Sequence, residues 1–409
     1  MRTQKFTPAR LLEKWDAAAT AGVLRSSPSE AQYCVLDGEL QLIALFNPSH
    51  AQKKRPVDQQ LLRPIASEPP ARTSTPSASF NFTKIRPSEV LCALSIEEDE
   101  GGEQPGCIPA VHAVNDESFI ELPRHAVLVN VSPLVSCTTE KEPARGGSCR
   151  SICSLGTRCD GFQMRGHSLF VFDLAQVKPQ KLELEYLRNG LSIIQATQEP
   201  HFVLGFNSIG AWSSVNHFHL QGFFTNEINS ELRFPILRQP RRKICQHGEV
   251  AAFEFPHWPM HCYGISANET EIGASCDGAF NRIMNVAWTL IEILQTRGIP
   301  HNVLIATDTT SQPLVIVFPR QYQRENGVGV FGDSEGEAGQ ATSSGGLRFA
   351  IVELSGLVIA GSAVKFQQLT QKKFVQILEN EISVTQDEAE SIMAEWKQML
   401  HKGASLLTD

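Results

Sequence analysis

Two histidines and a glutamine, His217, His219 and Gln221, occupy every second position in one stretch of this chain, with Phe218 and Leu220 between them. On an extended strand alternate residues face the same side, so the three polar side chains share a surface while the two apolar ones enter a core. Such a face suits chemistry at phosphorus. A neutral imidazole is a good nucleophile near pH 7 when a neighbouring backbone group fixes one ring nitrogen as N–H and leaves the other lone pair free. His219 is the natural attacker. Two other readings fit the same residues: histidines that serve the fold, or ligands of a metal. Zinc takes three or four protein ligands, and no Cys, Asp or Glu lies in 207–222, so neither metal nor cofactor is expected.

The elements that must position this face can be read from periodicity. The residues 80–87 alternate apolar with polar and predict a strand, as do 125–134, with Val127, Val129 and Val131 on one side, and 167–173. Helical spacing of Leu182, Tyr186, Leu187, Ile193 and Ile194 predicts a helix over 180–198, feeding a strand at 201–206 and then the histidine strand. Downstream, 281–297 reads as a helix stopped by Gly298 and Pro300, with strands at 302–306, 314–318 and 347–354 and helices within 374–400. Strands and helices without regular βα alternation predict an α+β fold, an antiparallel sheet backed by helices. The second half repeats the strand and helix vocabulary of the first without a residue-level repeat.

Composition narrows the class. At 409 residues the chain can build one large or two medium cores, and 42% hydrophobic with 20% charged residues is ordinary for a globular protein. A formal net charge of -8 argues against a nucleic-acid surface, which usually leaves a basic footprint. No apolar run is long enough to span a membrane and the start has no secretory h-region, so a soluble, cytoplasmic protein is expected. Most of the ten cysteines are scattered as free thiols would be; only Cys149, Cys153 and Cys159 cluster. The Pro/Ser/Thr-rich 66–79 reads as a linker, and 97–106 and 327–346 as Gly- and Glu-rich loops.

Three segments together, 80–91, 129–134 and 204–221, closely resemble the GDP-D-glucose phosphorylases. These belong to the histidine-triad superfamily, in the branch of galactose-1-phosphate uridylyltransferase, with the plant GDP-L-galactose phosphorylases as near relatives. The resemblance continues weakly through 299–303, 315–320 and 349–356. It implies a histidine-triad-like antiparallel sheet in two related halves: an N-terminal segment 1–79, a catalytic half 80–235 and a C-terminal half 236–409. It also implies a nucleotidyl-transfer reaction in which His219 attacks the α-phosphorus of a GDP-hexose, releases hexose 1-phosphate and is freed by inorganic phosphate as GDP forms.

By the same resemblance His217 and Asn216 orient the nucleophile, Gln221 holds a phosphate oxygen, Asn207 and Ser214 contact phosphate and Asn130 accepts the ribose. Lys84, Arg86 and Arg320 are candidate phosphate or guanine contacts, equally readable as solvated surface cations. Rival readings are a GDP-L-galactose phosphorylase, a sugar-nucleotide hydrolase, and a non-catalytic nucleotide binder. A homodimer is compatible with the superfamily, but no exposed heptad or strand edge in the sequence supports one. One departure stands out: in the family the 130–134 motif is followed closely by Gly-His, whereas Gly166 and His167 come far later. Removing 135–163, which is in frame, restores the spacing, so this segment reads as a retained intron or as a loop insertion carrying Cys149, Cys153 and Cys159.

Overall fold

The structure, a computed structural model, describes residues 2–24, 32–46, 80–96, 111–115, 123–130, 165–227, 233–267, 276–331 and 346–405. The linker at 66–79, the 97–106 loop and the 135–163 segment lie outside these residues.

The chain opens with β1 (Arg2–Lys5) and α1 (Pro8–Thr20), whose proline stands in the first turn, where its missing N–H costs nothing. The strands β2 (Gln32–Val35) and β3 (Ile43–Phe46) follow, then β4 (Val90–Ile96), β5 (Val111–Asn115), β6 (His125–Val129) and β7 (Ser168–Val171). Next come α2 (Leu184–Thr197), β8 (Phe202–Asn207) and β9 (Leu220–Phe224). The second half runs β10 (Arg242–His247), β11 (Val250–Glu254), β12 (Tyr263–Ala267), α3 (Cys276–Thr296), β13 (His301–Thr307) and β14 (Pro313–Pro319). It closes with α4 (Ile351–Leu354), β15 (Leu357–Ala360), α5 (Ala363–Gln368), α6 (Gln371–Ile377) and α7 (Gln386–Ser405).

Twelve strands form one sheet in the order β1-β5-β4-β6-β7-β9-β8-β13-β14-β12-β11-β10. The units β6-β7-α2-β8-β9 and β11-β12-α3-β13-β14 have the same element order, and their strands are arranged as mirror sequences about the β8–β13 pair, where Asn207 opposes Asn302. The expected α+β architecture with an antiparallel sheet and two related halves is therefore what the chain builds. Alternation assigns the faces. Phe202, Leu204 and Phe206 of β8, with Val303 and Ile305 of β13, pack against the helical layer of α1, α2, α3 and α7, around Trp15, Tyr186 and Trp396.

On the opposite face lie two separate apolar clusters. Val203, Phe223, Leu304 and Ile316 meet α4, α5, α6 and the small sheet β15-β3-β2. Ala126, Leu128 and Val171 are covered instead by Phe82. A single row of paired residues crosses this face: Leu128, Leu169, Gln221, Gly205, Leu304, Ile316. Gln221 is its one polar member, and Gly205 leaves the space beside it to Ile351 of α4, whose Cγ2 would lie 2.6 Å from a Cβ at that glycine.

Two expected strands are corrected. The 80–87 segment forms 3-10 turns at Phe82–Lys84 and Pro87–Glu89. Asn81 Oδ1 accepts the Thr83 N–H at 3.1 Å and Pro87 occupies the start of the second turn, local chemistry that outweighs alternation. The 347–354 strand is instead the short α4, because Glu353 turns back to accept the Ala350 N–H at 2.9 Å, and the strand begins at Leu357.

Candidate active site

The two histidines precede β9 rather than lie in its ladder, so other groups must hold their backbone extended. Phe218 supplies one anchor. Its ring stacks on Tyr186 at 4.2 Å, with Phe172 at 5.8 Å and Phe206 at 5.9 Å, all on the helical side. The rings of His217 and His219 lie instead against Phe82, at 5.3 and 5.1 Å.

The second anchor is the loop before α2. Lys178 O accepts the Phe218 N–H at 2.8 Å. Gln180, 2% exposed, takes over where β8 and β9 diverge: its Oε1 accepts the His219 N–H at 2.9 Å, and its Nε2 donates to His219 O at 3.1 Å and Asn207 O at 3.0 Å. Asn216 Oδ1 in turn accepts the Gln180 N–H at 3.0 Å. One buried amide thus stands in for the missing ladder partner of the nucleophile's own residue.

His219 Nδ1 lies 2.9 Å from His217 O, and a carbonyl can only accept, so Nδ1 carries the proton and the lone pair resides on Nε2. Burial pushes the His219 pKa down to about 4, which keeps the ring neutral at pH 7. His217 has the opposite tautomer. Its Nδ1 accepts the Phe82 N–H at 3.0 Å, so the proton sits on Nε2, a buried atom with no partner among the described residues. Burial first, and His219 second, lower the His217 pKa to about 4 as well.

Gln221 Oε1 is 3.3 Å from His167 Nε2, and the same nitrogen is 3.1 Å from Asn130 Nδ2. The buried His167 ring lies on Phe223 at 4.5 Å. The structure therefore brings Asn130 and Gln221 together through a histidine that motif reading left out of the site. Asn207 is 2% exposed; its Oδ1 accepts from Asn302 Nδ2 at 2.6 Å and from the Ile351 N–H at 2.9 Å, while its Nδ2 has no partner among the described residues. Ser214 is half-buried two residues before Asn216. Lys84 and Arg86 are exposed on the segment that carries Phe82.

Arg320 stands apart. It is 2% exposed, and two of its nitrogens donate to the main chain, Nη1 to Phe349 O and Nε to Gln321 O at 3.1 Å. Burial lowers its pKa to about 9, with nearby Glu353 opposing the shift. Through Phe349 it contacts the turn whose Ile351 N–H meets Asn207.

Missed by sequence reading, then, are Gln180, His167, Asn302 and the ring of Phe82. The displaced Gly166-His167 pair was the one available signal for His167. Gln180 and Asn302 act through main chain or through another amide, and no spacing marks such a role.

A β-β-α-β-β unit carrying His-x-His-x-Gln at the head of a central strand, with the middle imidazole presenting Nε2, is a histidine-triad-like fold. The chain belongs to the GDPGP1-like family: the N-terminal domain model matches residues 8–139 and 164–223 and the C-terminal domain model residues 235–403. It is 24% identical to GDP-D-glucose phosphorylase 1 of Homo sapiens over 91% of this chain and 78% of that one. It is 22% identical to GDP-L-galactose phosphorylase 1 of Arabidopsis thaliana over 79% of this chain and 60% of the relative. Among solved structures, yeast Ap4A phosphorylase Apa2 matches with a TM-score of 0.52 at 12% identity, covering 94% of this chain and 97% of that one, which is a likeness of fold. No helix among the described residues is long and apolar enough to cross a membrane.

Proposed function

We propose that the chain is a nucleotidyltransferase that phosphorolyses a GDP-hexose, with GDP-D-glucose as substrate. The carrying observation is the His219 ring, neutral and fixed with Nδ1–H on His217 O at 2.9 Å so that Nε2 is the nucleophile. Nε2 attacks the α-phosphorus, the bond from that phosphorus to the bridging oxygen breaks, and hexose 1-phosphate leaves with the electron pair. The guanylylated imidazole carries a positive charge that the His217 carbonyl stabilises through Nδ1–H. An oxygen of inorganic phosphate then attacks the same phosphorus, Nε2 leaves, and GDP is released. Splitting one displacement into two is the gain of covalent catalysis.

Around the transferring phosphoryl group, donors that cost no reorganisation stabilise the developing charge. In this reading they are His217 Nε2–H, Asn207 Nδ2–H and the Gln221 amide, with Ser214 beside them and Asn130 on the ribose. Asn216 acts through Gln180. Lys84 and Arg86 serve the guanosine side, and Arg320 is kept as a support of Asn207. A glutamine at 221 suits a leaving group that is already a stable phosphate ester and needs no proton relay. Names of relatives favour GDP-D-glucose over GDP-L-galactose. The same reading takes 80–235 and 236–409 as two halves of one cytoplasmic enzyme of glucose metabolism, and 135–163 as an insertion or a retained intron. All residues invoked come from one chain, and neither nucleic acid nor membrane is required.

The test is GDP release from GDP-D-glucose with and without inorganic phosphate, for the full chain and for a chain lacking 135–163. Phosphate-dependent GDP and glucose 1-phosphate, lost in His219→Ala, are expected. GMP with glucose 1-phosphate, formed whether or not phosphate is present, would make the protein a hydrolase, since water in place of phosphate on the guanylylated histidine yields GMP, and turnover of GDP-L-galactose alone would change the hexose.

A further inference from the structure

Double displacement at one phosphorus carries a spatial consequence. Each attack is in line, so hexose 1-phosphate departs from, and inorganic phosphate arrives at, the same locus opposite His219 Nε2. Both are phosphate anions at neutral pH, and such a locus calls for cations. Arg320 is buried with Nη1 and Nε on main-chain carbonyls, and Lys84 and Arg86 belong to the Phe82 side.

Arg348 and Lys365 are placed otherwise. The Arg348 guanidinium lies over the Trp212 ring, 5.0 Å from its centroid. Lys365 Nζ donates to Gly346 O at 3.2 Å, near enough to Arg348 that burial and the guanidinium both push the lysine pKa down. Neither cation has a carboxylate partner among the described residues. Arg348 is exposed and Lys365 half-buried, and an anion held between the two cations would offset their mutual repulsion.

The location follows from two directions. Trp212 lies in the loop between Asn207 and His217, two residues from Ser214. Its backbone is in the left-handed region at φ +68°, a conformation uncommon for a bulky residue, and is pinned there by its N–H on Gln323 Oε1 and by Asn302 Nδ2 on Ala211 O at 3.0 Å. Arg348 itself is three residues from Ile351, whose N–H touches Asn207, a span of at most about 10 Å. The strained loop and the α4 turn therefore hold the pair beside the phosphate end of the site.

We propose that Arg348, stacked on Trp212, and Lys365 form the subsite for the acceptor phosphate, which is also the place of the leaving hexose 1-phosphate and of the β-phosphate of GDP. The inference rests on the GDP-hexose reading for the identity of the second substrate. GMP ends at the α-phosphate and GDP extends one phosphate beyond, so the two nucleotides separate this subsite from the rest.

The experiment is calorimetric binding of GMP, GDP and inorganic phosphate to the full chain and to R348Q, R348K and K365Q, together with the KM for phosphate. R348Q should weaken GDP at least tenfold and raise the KM for phosphate comparably, with GMP within twofold of the unmodified protein. R348K, keeping charge but losing the planar stack, should fall between. Equal losses for GMP and GDP, or none for either, would overturn the subsite. Should no GDP-hexose turn over, the binding data still decide. Phosphate binding weakened by R348Q would then keep an anion site while the reaction is abandoned, and phosphate binding unchanged by R348Q would remove both.

Discussion

A neutral nucleophile and a fixed tautomer are separate requirements, and at His219 separate features meet them. Burial lowers its pKa to about 4, and the His217 carbonyl chooses which nitrogen attacks. The folded pKa lies below the usual 6.5, so the ring stays uncharged as pH falls past neutrality and loses its lone pair only near 4. The acid limb of single-turnover guanylylation, measured as label retained on protein from α-labelled GDP-glucose, should therefore fall near pH 4 rather than near 6.5. A limb at 6.5 would mean that the ring is solvated in the working enzyme. Gln180 makes a sharper case, because it touches no substrate in this reading yet bonds both the N–H and the C=O of His219. Gln180→Ala should lower kcat by about 10²-fold, the usual cost of misplacing a reacting group by about 1 Å, with the KM for GDP-glucose nearly unchanged. Gln180→Glu, which keeps an acceptor for the His219 N–H but sets a buried carboxylate oxygen against His219 O and Asn207 O, should lower kcat no less than Gln180→Ala; an equal loss of affinity and rate would assign Gln180 to general stability. The nucleophile was legible in the sequence because alternate polar residues on an extended backbone are a periodic signal. Gln180 was not, since a side chain that works by bonding main chain can sit at any sequence distance from what it holds.

Elements place these residues through close approach as much as through ladders. Between the two apolar clusters of the open face, β8 carries Gly205 level with Gln221, and α4 descends into the vacancy with Ile351. A Cβ at 205 would stand 2.6 Å from Ile351 Cγ2 and push α4 away, drawing the Ile351 N–H from Asn207 Oδ1. Gly205→Ala should cost about 1–3 kcal/mol in denaturant unfolding, the range for overpacking a filled core, and should reduce activity through Asn207. In the double variant Gly205→Ala/Ile351→Ala the two costs should add to less than their sum, because the deleted side chain makes the room. Strict additivity would show that the glycine is there for another reason. The strands of the central sheet were readable from alternation, and α2 and α3 from helical spacing. The Phe80 segment and α4 were misread for a common reason: each is short, and one polar side chain turned onto a nearby N–H, Asn81 on Thr83 or Glu353 on Ala350, decides its conformation.

Across the whole molecule the two halves repeat an element order yet share one sheet, because β8 pairs with β13 along four residues from each strand. The repeated vocabulary of strands and helices was legible; the joining of the halves was not, since pairing between strands about a hundred positions apart leaves no local pattern. A shared sheet and a shared helical layer couple the halves, so denaturant unfolding should follow one transition by both fluorescence and circular dichroism. Its pH dependence reads the buried histidines. His217 and His219 belong to the first half and His301 to the second, and burial holds all three near a pKa of about 4. For each, the folded pKa is below the unfolded value near 6.5, so the unfolded chain binds the extra proton. The stability contributed by the neutral ring is complete above 6.5 and is lost as pH falls toward 4, at about 1.4 kcal/mol per pH unit for each fully differing group. His301→Phe should remove one of these protons from the slope measured between pH 6 and 5, and should do so for the whole transition rather than for half of it, because the halves share one sheet. Two transitions, with only one responding to His301→Phe, would show that the halves are thermodynamically separate in spite of their common sheet.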